Sequence, residues 1–289
     1  MGETACLRHT GCSLRSMVPA LLTAVLLLAA APASGQDAVP IITPTMPNYV
    51  GFGLGVTPDY VGADTYFFGG LPLARYQFED SYRYASLVGT FVDLNVVNHP
   101  IIRFGPTAQL RFGRSNVSNR AVRQLPSIST TVEAGVFGGL EFVNPSDPRK
   151  RLRLDLRIQQ DLASEHEGWL ASSGIQGWYP IDGLAEVGLA LGTTYGSGDY
   201  LSTFFGIHER YSAPSGLPAY DADAGFRDVR LTLGAMVPVT EHWLVGAGVM
   251  FMRLVGNAAD SPIVDDAGSP NQISGGLGVA YAWGAGPAE

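Results

Sequence analysis

The stretch RLRLDLRIQQDL, residues 151–162, alternates between aliphatic and polar side chains with almost no exception. Successive side chains of a β-strand point to opposite faces, so this alternation predicts a strand with one apolar and one charged face. Two architectures contain such strands. A soluble β-sandwich turns the apolar face toward its core, whereas a transmembrane β-barrel turns it toward lipid and turns the charged face toward its lumen.

Segments of similar composition recur along the chain after residue 46, separated by clusters of Pro, Asp, Asn, Ser and Gly. Alternation like that of the opening stretch is clear within 102–112, 131–142 and 229–237. No sustained helical periodicity and no apolar run of 18 residues interrupts the series, so the sequence predicts an all-β chain. The eleven candidate strands are 48–57, 65–78, 82–97, 101–113, 128–143, 151–162, 168–180, 184–196, 226–239, 242–255 and 271–283.

Three observations favour the transmembrane barrel over the sandwich. The candidate strands are long, whereas soluble strands typically have about 5 to 6 residues and a tilted membrane-spanning strand needs about 9 to 11. A turn centred near Asp147 would place Glu141 opposite Arg153, so that charges pair on the lumen face. The last segment ends in Tyr281 and Trp283, as expected of an interfacial aromatic girdle. We therefore predict a transmembrane antiparallel up-and-down β-barrel of the bacterial outer-membrane type.

The number of strands and the orientation of the loops follow from this class. Single-chain bacterial barrels have an even number of strands, so eleven segments predict twelve strands, with ten as the alternative. The missing strand is expected within 61–100 or within 197–225. The short connections 180–183 and 238–243 suit periplasmic turns, and the segments 197–225 and 256–270 are predicted to be extracellular loops.

The charged face of each strand is predicted to line the lumen. An arginine facing lipid at the bilayer midplane costs about 2–4 kcal/mol, which excludes the opposite orientation for strands with several arginines. Two interpretations remain open: an anion-attracting constriction in a channel, or a closed network of arginine–carboxylate pairs, which the narrow lumen of about twelve strands favours. The predicted lumen-facing charges are Arg103, Arg111, Glu133, Glu141, Arg151, Arg153, Asp155, Arg157 and Arg230.

The N-terminal region is typical of an exported protein. Arg8 and Arg15 precede an apolar run at 18–33 and a small-residue stretch, which predicts a signal peptide over residues 1–35, with an uncleaved anchor as the alternative. We expect a short periplasmic segment at 36–46, the barrel at 47–283 and a C-terminal extension at 284–289. The formal net charge of −8 argues against a nucleic-acid partner.

Four stretches carry a resemblance to a known family. They are GLGVTPDYVGAD (53–64), FGPTAQLRFGR (104–114), SEHEGWL (164–170) and SGLPAYDADAGFRDV (215–229), the last being the most specific. The chain resembles the MipA/OmpV family of Gram-negative outer-membrane proteins over nearly all of its predicted mature part. The extension GAGPAE after Trp283 departs from the family, whose barrels usually end on the aromatic strand. The loop residues that carry the resemblance are Pro58, Asp59, Tyr60, Gly62, Asp64, His166, Glu167, Gly168, Ser215, Gly216, Leu217, Pro218 and Tyr220.

The resemblance implies a function without catalysis. Members of the family are thought to be scaffolds in the outer-membrane lipid that bring a lytic transglycosylase and a murein synthase together near peptidoglycan. We therefore expect a non-enzymatic scaffold, with a small-solute channel or a surface adhesin or receptor as alternatives.

No catalytic, cofactor or metal site is predicted from the remaining polar motifs. EHEG (165–168) is interpreted as a solvated loop, TPDYVGAD (57–64) as turn chemistry, and DADAGFRD (221–228) lacks the glycine and the closing glutamate of a calcium loop. His208 lies near Ser212 and Ser215 in the sequence, but sequence proximity alone does not make a catalytic pair.

Overall fold

A computed structural model describes residues 48–115, 117–181 and 185–284. The predicted signal peptide, the segment 36–46 and residues 285–289 of the extension lie outside the described residues. Twelve β-strands run through the described part: β1 (Asn48–Pro58), β2 (Tyr66–Gln77), β3 (Tyr84–Val88), β4 (Phe91–Asn95), β5 (Ile102–Arg111), β6 (Thr131–Val143), β7 (Arg151–Asp161), β8 (Trp169–Pro180), β9 (Glu186–Gly196), β10 (Gly225–Pro238), β11 (Trp243–Leu254) and β12 (Asn271–Trp283).

The strands close into one antiparallel barrel in which each strand pairs with its neighbours in sequence. β1 and β12 complete the closure, with a register that runs from Asn48 opposite Trp283 to Val56 opposite Gly275. The predicted all-β up-and-down barrel of twelve strands is confirmed. The hairpin of β6 and β7 also places Glu141 opposite Arg153, as the alternation predicted.

The twelfth strand lies in one of the two regions where it was expected. The segment 82–97 divides into β3 and β4 because Gly89 adopts a φ of +61° and turns the chain after only five residues. The other candidate region, 197–225, contributes no further strand; it contains the helices α1 (Gly198–Phe205) and α2 (Glu209–Ser215). Two short helices, α3 (Gly256–Ala259) and α4 (Pro262–Asp265), precede β12, and a 3₁₀ turn spans Val122–Gln124.

The aliphatic side chains of the strands lie on the outside of the barrel. In β7, Leu156 and Ile158 are 51% and 46% exposed, whereas Gln159 and Asp161 on the opposite face are buried. An outer surface of aliphatic side chains is stable in hydrocarbon. The backbone tolerates this medium because neighbouring strands satisfy each other's hydrogen-bonding groups. None of the helices in the described ranges is long and apolar enough to cross a membrane.

The two ends of the barrel differ in the length of their connections. β1 begins and β12 ends at the end with the short turns, which include 144–150 and 239–242. In bacterial barrels this is the periplasmic end. Of the predicted turn 180–183, Asp182 and Gly183 lie outside the described residues. The long connections, including 112–130, 197–224 and 255–270, lie at the opposite, extracellular end.

Candidate functional site: the lumen and its extracellular cap

The lumen contains a network of ion pairs along the wall formed by β4 to β10. Each predicted lumen charge lies on the inward face of its strand, and all nine have a carboxylate or guanidinium partner there. Sequence reasoning missed several partners, namely Asp93, Glu186, Arg227 and Asp228, although Asp93 and Glu186 lie on inward positions of alternating strands. The pairs are Arg103–Glu141 (2.9 Å), Arg111–Glu133, Arg151–Glu186 (2.8 Å), Arg157–Asp93 (2.7 Å), Arg153–Asp155 (3.7 Å) and Arg230–Asp228 (3.4 Å).

The extracellular end of this network is fully buried. Glu133 accepts hydrogen bonds from Arg111 and from Nε2 of His166, the latter at 2.9 Å. Nδ1 of His166 accepts from the backbone N–H of Gly168 at 3.1 Å, so the ring proton lies on Nε2. The interpretation of EHEG as a solvated loop is wrong for His166, which is 2% exposed. The carboxylate of Asp161 accepts from the backbone N–H of His166 at 2.7 Å, and this bond holds the loop in the buried position.

A β-bulge creates a second buried cluster on β10. The pairing with β9 shifts register between Phe226 and Asp228, which lets Arg227 and Asp228, although consecutive, both point inward. Nε of Arg227 donates to Asp228 at 2.7 Å, and its Nη1 donates to the Tyr200 hydroxyl, also at 2.7 Å. Strict alternation would place one of the two charges in lipid, so the sequence gives no signal for this cluster.

The long extracellular connections pack into an apolar cap over the lumen. Ser197 caps the N-terminus of α1, because its side chain accepts from the backbone N–H of Tyr200. The inner face of α1 buries Tyr200, Leu201 and Phe205. The apolar clusters of the cap draw on the connections 59–65, 112–130, 197–224 and 255–270. The predicted extracellular loops are therefore ordered by a hydrophobic core of their own.

Hydrogen bonds to backbone carbonyls fasten α1 to the rest of the cap. Nη1 of Arg114 donates to the carbonyl of Phe204 at 2.8 Å, and the hydroxyl of Ser261 donates to the carbonyl of Phe205 at 2.6 Å. Each bond satisfies a carbonyl that the end of a helix leaves unpaired. Burial lowers the pKa of Arg114 to about 10.

Residues of the family motif GLGVTPDYVGAD (53–64) form part of the cap. Tyr60 is 3% exposed, and burial raises the pKa of its hydroxyl to about 12. Gly62 has a φ of +101°, and a Cβ there would lie 2.6 Å from the Val264 side chain, so only glycine fits. Asp59 accepts a hydrogen bond from the Thr65 hydroxyl at 2.6 Å, and Asp64 is exposed.

The other motif residues lie in the same cap. Gly168 packs so closely on α1 that a Cβ would lie 2.6 Å from the Ser197 hydroxyl, and Glu167 beside it is exposed with a positive φ of 52°. Leu217 is buried in the cap, and the Tyr220 hydroxyl donates to the carbonyl of Asn257 at 3.0 Å. The remaining members are the buried Pro58 at the end of β1, the partly buried Ser215 at the end of α2, and the exposed Gly216 and Pro218.

Between cap and periplasm the lumen holds a cavity of about 80 Å³. One side is lined by small residues, including Ala190, Gly192 and Thr232, and the other by Phe91, Arg111 and Arg157. Near the periplasmic end the buried side chains of Tyr49 and Trp178 narrow the lumen, and the Arg151 guanidinium lies 4.9 Å from the Trp178 ring centre. In the described ranges, no three His, Cys, Asp or Glu side chains are grouped so as to hold a metal ion.

Comparison with known proteins places this barrel among outer-membrane proteins. Residues 50–283 match the family described as MltA-interacting protein MipA. Outer membrane protein OmpV of Vibrio cholerae serotype O1 is 32% identical over 125 residues, 43% of this chain and 46% of OmpV. Outer membrane protein Omp26La of Vibrio anguillarum is 29% identical over 125 residues, again 43% of this chain and 46% of the relative. The chain thus spans about half the length of these relatives.

Two solved structures share the barrel architecture at low sequence identity. The COG4313 outer membrane channel from Pseudomonas putida F1 has 12% identity and a TM-score of 0.48, covering 86% of this chain and 100% of that chain. The NanC porin has 10% identity and a TM-score of 0.44, covering 82% of this chain and 100% of that chain.

Proposed function

Because the chain belongs to the MltA-interacting protein MipA family of outer-membrane barrels, we propose that it is a non-enzymatic scaffold for murein-processing enzymes. Its periplasmic face would bind a lytic transglycosylase and, through it or beside it, a murein synthase. The proposal includes export through the inner membrane directed by the leader 1–35, which is then cleaved, so that the mature barrel resides in the outer membrane.

The observation that carries the proposal is the filling of the lumen. Arginine–carboxylate pairs span its middle, and an apolar cap lies over its extracellular end. A barrel of twelve strands has a narrow interior, which such side chains occupy to a large extent. An interior built in this way supports a function exerted through the surface of the barrel rather than through conduction.

The turn 144–150 is the best-defined binding candidate on the periplasmic face. Nε of Arg149 donates to Asp147 at 2.9 Å, and this hydrogen bond holds the pKa of the Asp147 carboxyl below its usual range. The Asn144 side chain accepts from the backbone N–H of Ser146 at 2.8 Å, which fixes the turn. The turn therefore presents charged groups, including Lys150, in a defined arrangement that a protein partner can recognise.

Co-purification from detergent-solubilised outer membranes tests the scaffold. We expect the tagged wild-type protein to retain a lytic transglycosylase, and the Arg149→Glu variant to retain about tenfold less, because a charge reversal places like charges at the contact. The matched control is Arg210→Glu on the exposed extracellular helix α2, which should bind as the wild type does. Loss of binding in the Arg210 variant alone would contradict the proposal.

A small-solute channel is the second candidate, and the arginine-lined cavity favours it. The two functions give different results in a planar lipid bilayer. The scaffold proposal expects no discrete conductance from the folded wild-type protein. Steady single-channel conductance steps, together with no retained transglycosylase, would contradict the scaffold and support the small-solute channel.

A further inference from the structure

The barrel wall has a notch where the β3–β4 hairpin stops at half height. β3 and β4 have five residues each, and the turn of the hairpin is level with Pro72 on β2 and Leu110 on β5. β2 continues toward the extracellular side for the six residues Tyr66–Leu71. At about 3.4 Å per residue and about 4.8 Å between strands, the notch is about 20 Å along β2 and two strands wide.

In the part of the chain that the structure describes, no strand lies beside the edge of β2 that faces the notch. Among the described residues, pairing with β3 covers only Leu73–Gln77, and the Pro72 carbonyl accepts from Gly89 at 2.9 Å. Backbone groups alternate along a strand, so those of Phe68 and Gly70 point the same way as that carbonyl, into the notch. The neighbouring connection 112–130 does not extend the wall, because it folds inward and buries Val117 and Val122 in the cap.

Membrane physics limits what this notch can face. An unpaired backbone group in hydrocarbon costs several kcal/mol, and such backbone is tolerated at membrane depth where it lines a water-filled cavity. The notch is therefore expected to join the lumen.

A second copy of the barrel does not satisfy this edge. Strands tilt by about 35–45° in the same sense in both barrels, so two facing β2 edges would cross steeply instead of pairing.

The side chains around the notch are apolar on both faces of β2. Tyr66 and Phe68 point outward and are 49% and 63% exposed. On the inward face, Phe67 and Leu71 occupy positions that carry charged or small residues on most other strands. Phe91, at the end of the hairpin, lines the lumen cavity directly below. Apolar side chains thus border the notch on β2 and, at Phe91, line the cavity.

The cavity has a hydrogen-bond donor next to Phe91. The Arg157 guanidinium lies 4.6 Å from the ring centre of Phe91, and its Nη2 is bound to Asp93 at 2.7 Å. Its Nε is buried and makes no hydrogen bond to any described residue. A buried charged donor of this kind favours an anionic acceptor. A cavity of about 80 Å³ has room for two or three water molecules, which is the size of a small head group.

We propose that the notch is a lateral entrance for a single-chain anionic amphiphile from the outer leaflet. Its carboxylate binds at Nε of Arg157 in the lumen cavity, and its chain passes Phe91 and Leu71 and extends through the notch into lipid. The cavity of about 80 Å³ has room for the carboxylate head group of such a molecule.

Photo-crosslinking with a palmitic acid that carries a diazirine near its carboxyl group tests this entrance. The wild-type protein is reconstituted in phosphatidylcholine vesicles, irradiated, and the crosslinked residues are mapped by mass spectrometry. We expect crosslinks to inward-facing Phe67, Leu71 and Phe91 in addition to the background on lipid-facing residues such as Leu191 and Leu233. Crosslinks confined to lipid-facing residues would overturn the entrance.

Two variants test the binding mode against the same background. The double variant Arg157→Gln with Asp93→Asn removes the ion pair as a unit, and we expect about tenfold less inward crosslinking with unchanged lipid-facing crosslinking. Leu71→Glu, which places a like charge on the path, should have the same effect. Heat-modifiable gel mobility shows whether each variant barrel is folded. If one variant fails to fold, the inward crosslinking of the other variant tests the binding mode. Equal inward crosslinking by the uncharged diazirine alcohol would overturn recognition of the carboxylate.

Discussion

The middle of the lumen and the extracellular cap are both buried, but opposite interactions hold them. In the lumen, guanidinium and carboxylate groups form ion pairs, some between neighbouring strands, as Arg111 and Glu133 do, and others between strands that are not adjacent, as Arg157 and Asp93 do. In the cap, aromatic and aliphatic groups such as Leu201 and Phe205 on α1 form the packed core, and the buried Arg114 there donates to the backbone carbonyl of Phe204. The difference follows from the medium outside each region. The apolar face of each strand contacts lipid, so the polar face lines the interior of the barrel. The cap faces water instead, and it therefore buries its apolar side chains.

The two kinds of interior respond differently to substitution. A buried ion pair adds little net stability relative to apolar residues of the same volume, but removing one partner leaves an uncompensated charge. Apolar packing instead loses stability in proportion to the volume removed. The contrast between the two regions can therefore be tested with single and double variants.

The largest effect is expected in the lumen, from Arg111→Met. The change leaves the fully buried Glu133 with His166 as its remaining partner and should reduce the free energy of unfolding by about 3–5 kcal/mol. Urea unfolding in vesicles, followed by tryptophan fluorescence, measures it. The double variant Arg111→Met with Glu133→Leu should recover most of the loss. If the double variant is as unstable as the single one, packing rather than charge holds this part of the lumen.

The next effect is expected in the cap, from Leu201→Ala. Leu201 is fully buried, and its truncation should destabilise the cap by about 3 kcal/mol through lost contacts and a residual cavity. The loss should be local, because the strands are paired independently of the cap. Hydrogen exchange should accelerate in 198–205 and stay unchanged in β6 and β7, with the exposed Ser202→Ala as the control. Equal acceleration in the strands would show that cap and barrel unfold together.

Tyr200 joins the two regions, and its hydroxyl contributes a smaller amount. Its ring packs in the cap, while its oxygen accepts from Arg227 of the lumen. Tyr200→Phe keeps the packing and removes one bond to a charged donor, for an expected loss of about 2 kcal/mol. Hydrogen exchange in α1 measures it. Tyr195→Phe, at a partly buried tyrosine on the outward face of β9, serves as the control.

The same comparison explains how much the sequence could predict. Period-two alternation, as in 151–162, predicts the strands and their charged faces, because every member of the pattern obeys one local rule. Strand length, charge pairing and the terminal aromatic residues were also needed to predict a transmembrane barrel. The bulge at Phe226–Asp228 breaks that rule, so the buried Arg227 and Asp228 were not found. The cap was missed because its apolar residues come from separate connections and show no common period. His166 was misplaced because Asp161 holds its loop in the buried position through a backbone hydrogen bond, which no motif records.

The smallest effect is expected from pH, through Tyr60 in the cap. Burial raises the pKa of its hydroxyl to about 12 in the folded cap, whereas the unfolded chain has the ordinary value of 10. A raised pKa means that the folded state keeps its proton after the unfolded state has lost it. The stability associated with this group is therefore complete below pH 10 and is lost as the pH rises from 10 to about 12.

The variant Tyr60→Phe removes this dependence. The hydroxyl makes no hydrogen bond to any described residue, so at pH 8 the variant should be as stable as the wild type or slightly more stable. Urea midpoints of cap unfolding, measured at pH 8, 10 and 11, should fall for the wild type above pH 10 and fall less for the variant. The half-buried Tyr211→Phe in the same cap is the control and should follow the wild type. If the urea midpoints of Tyr60→Phe and the wild type fall in parallel as the pH rises, this hydroxyl is solvated in the folded protein. The cap would then be less tightly closed than the apolar packing around Tyr60 requires.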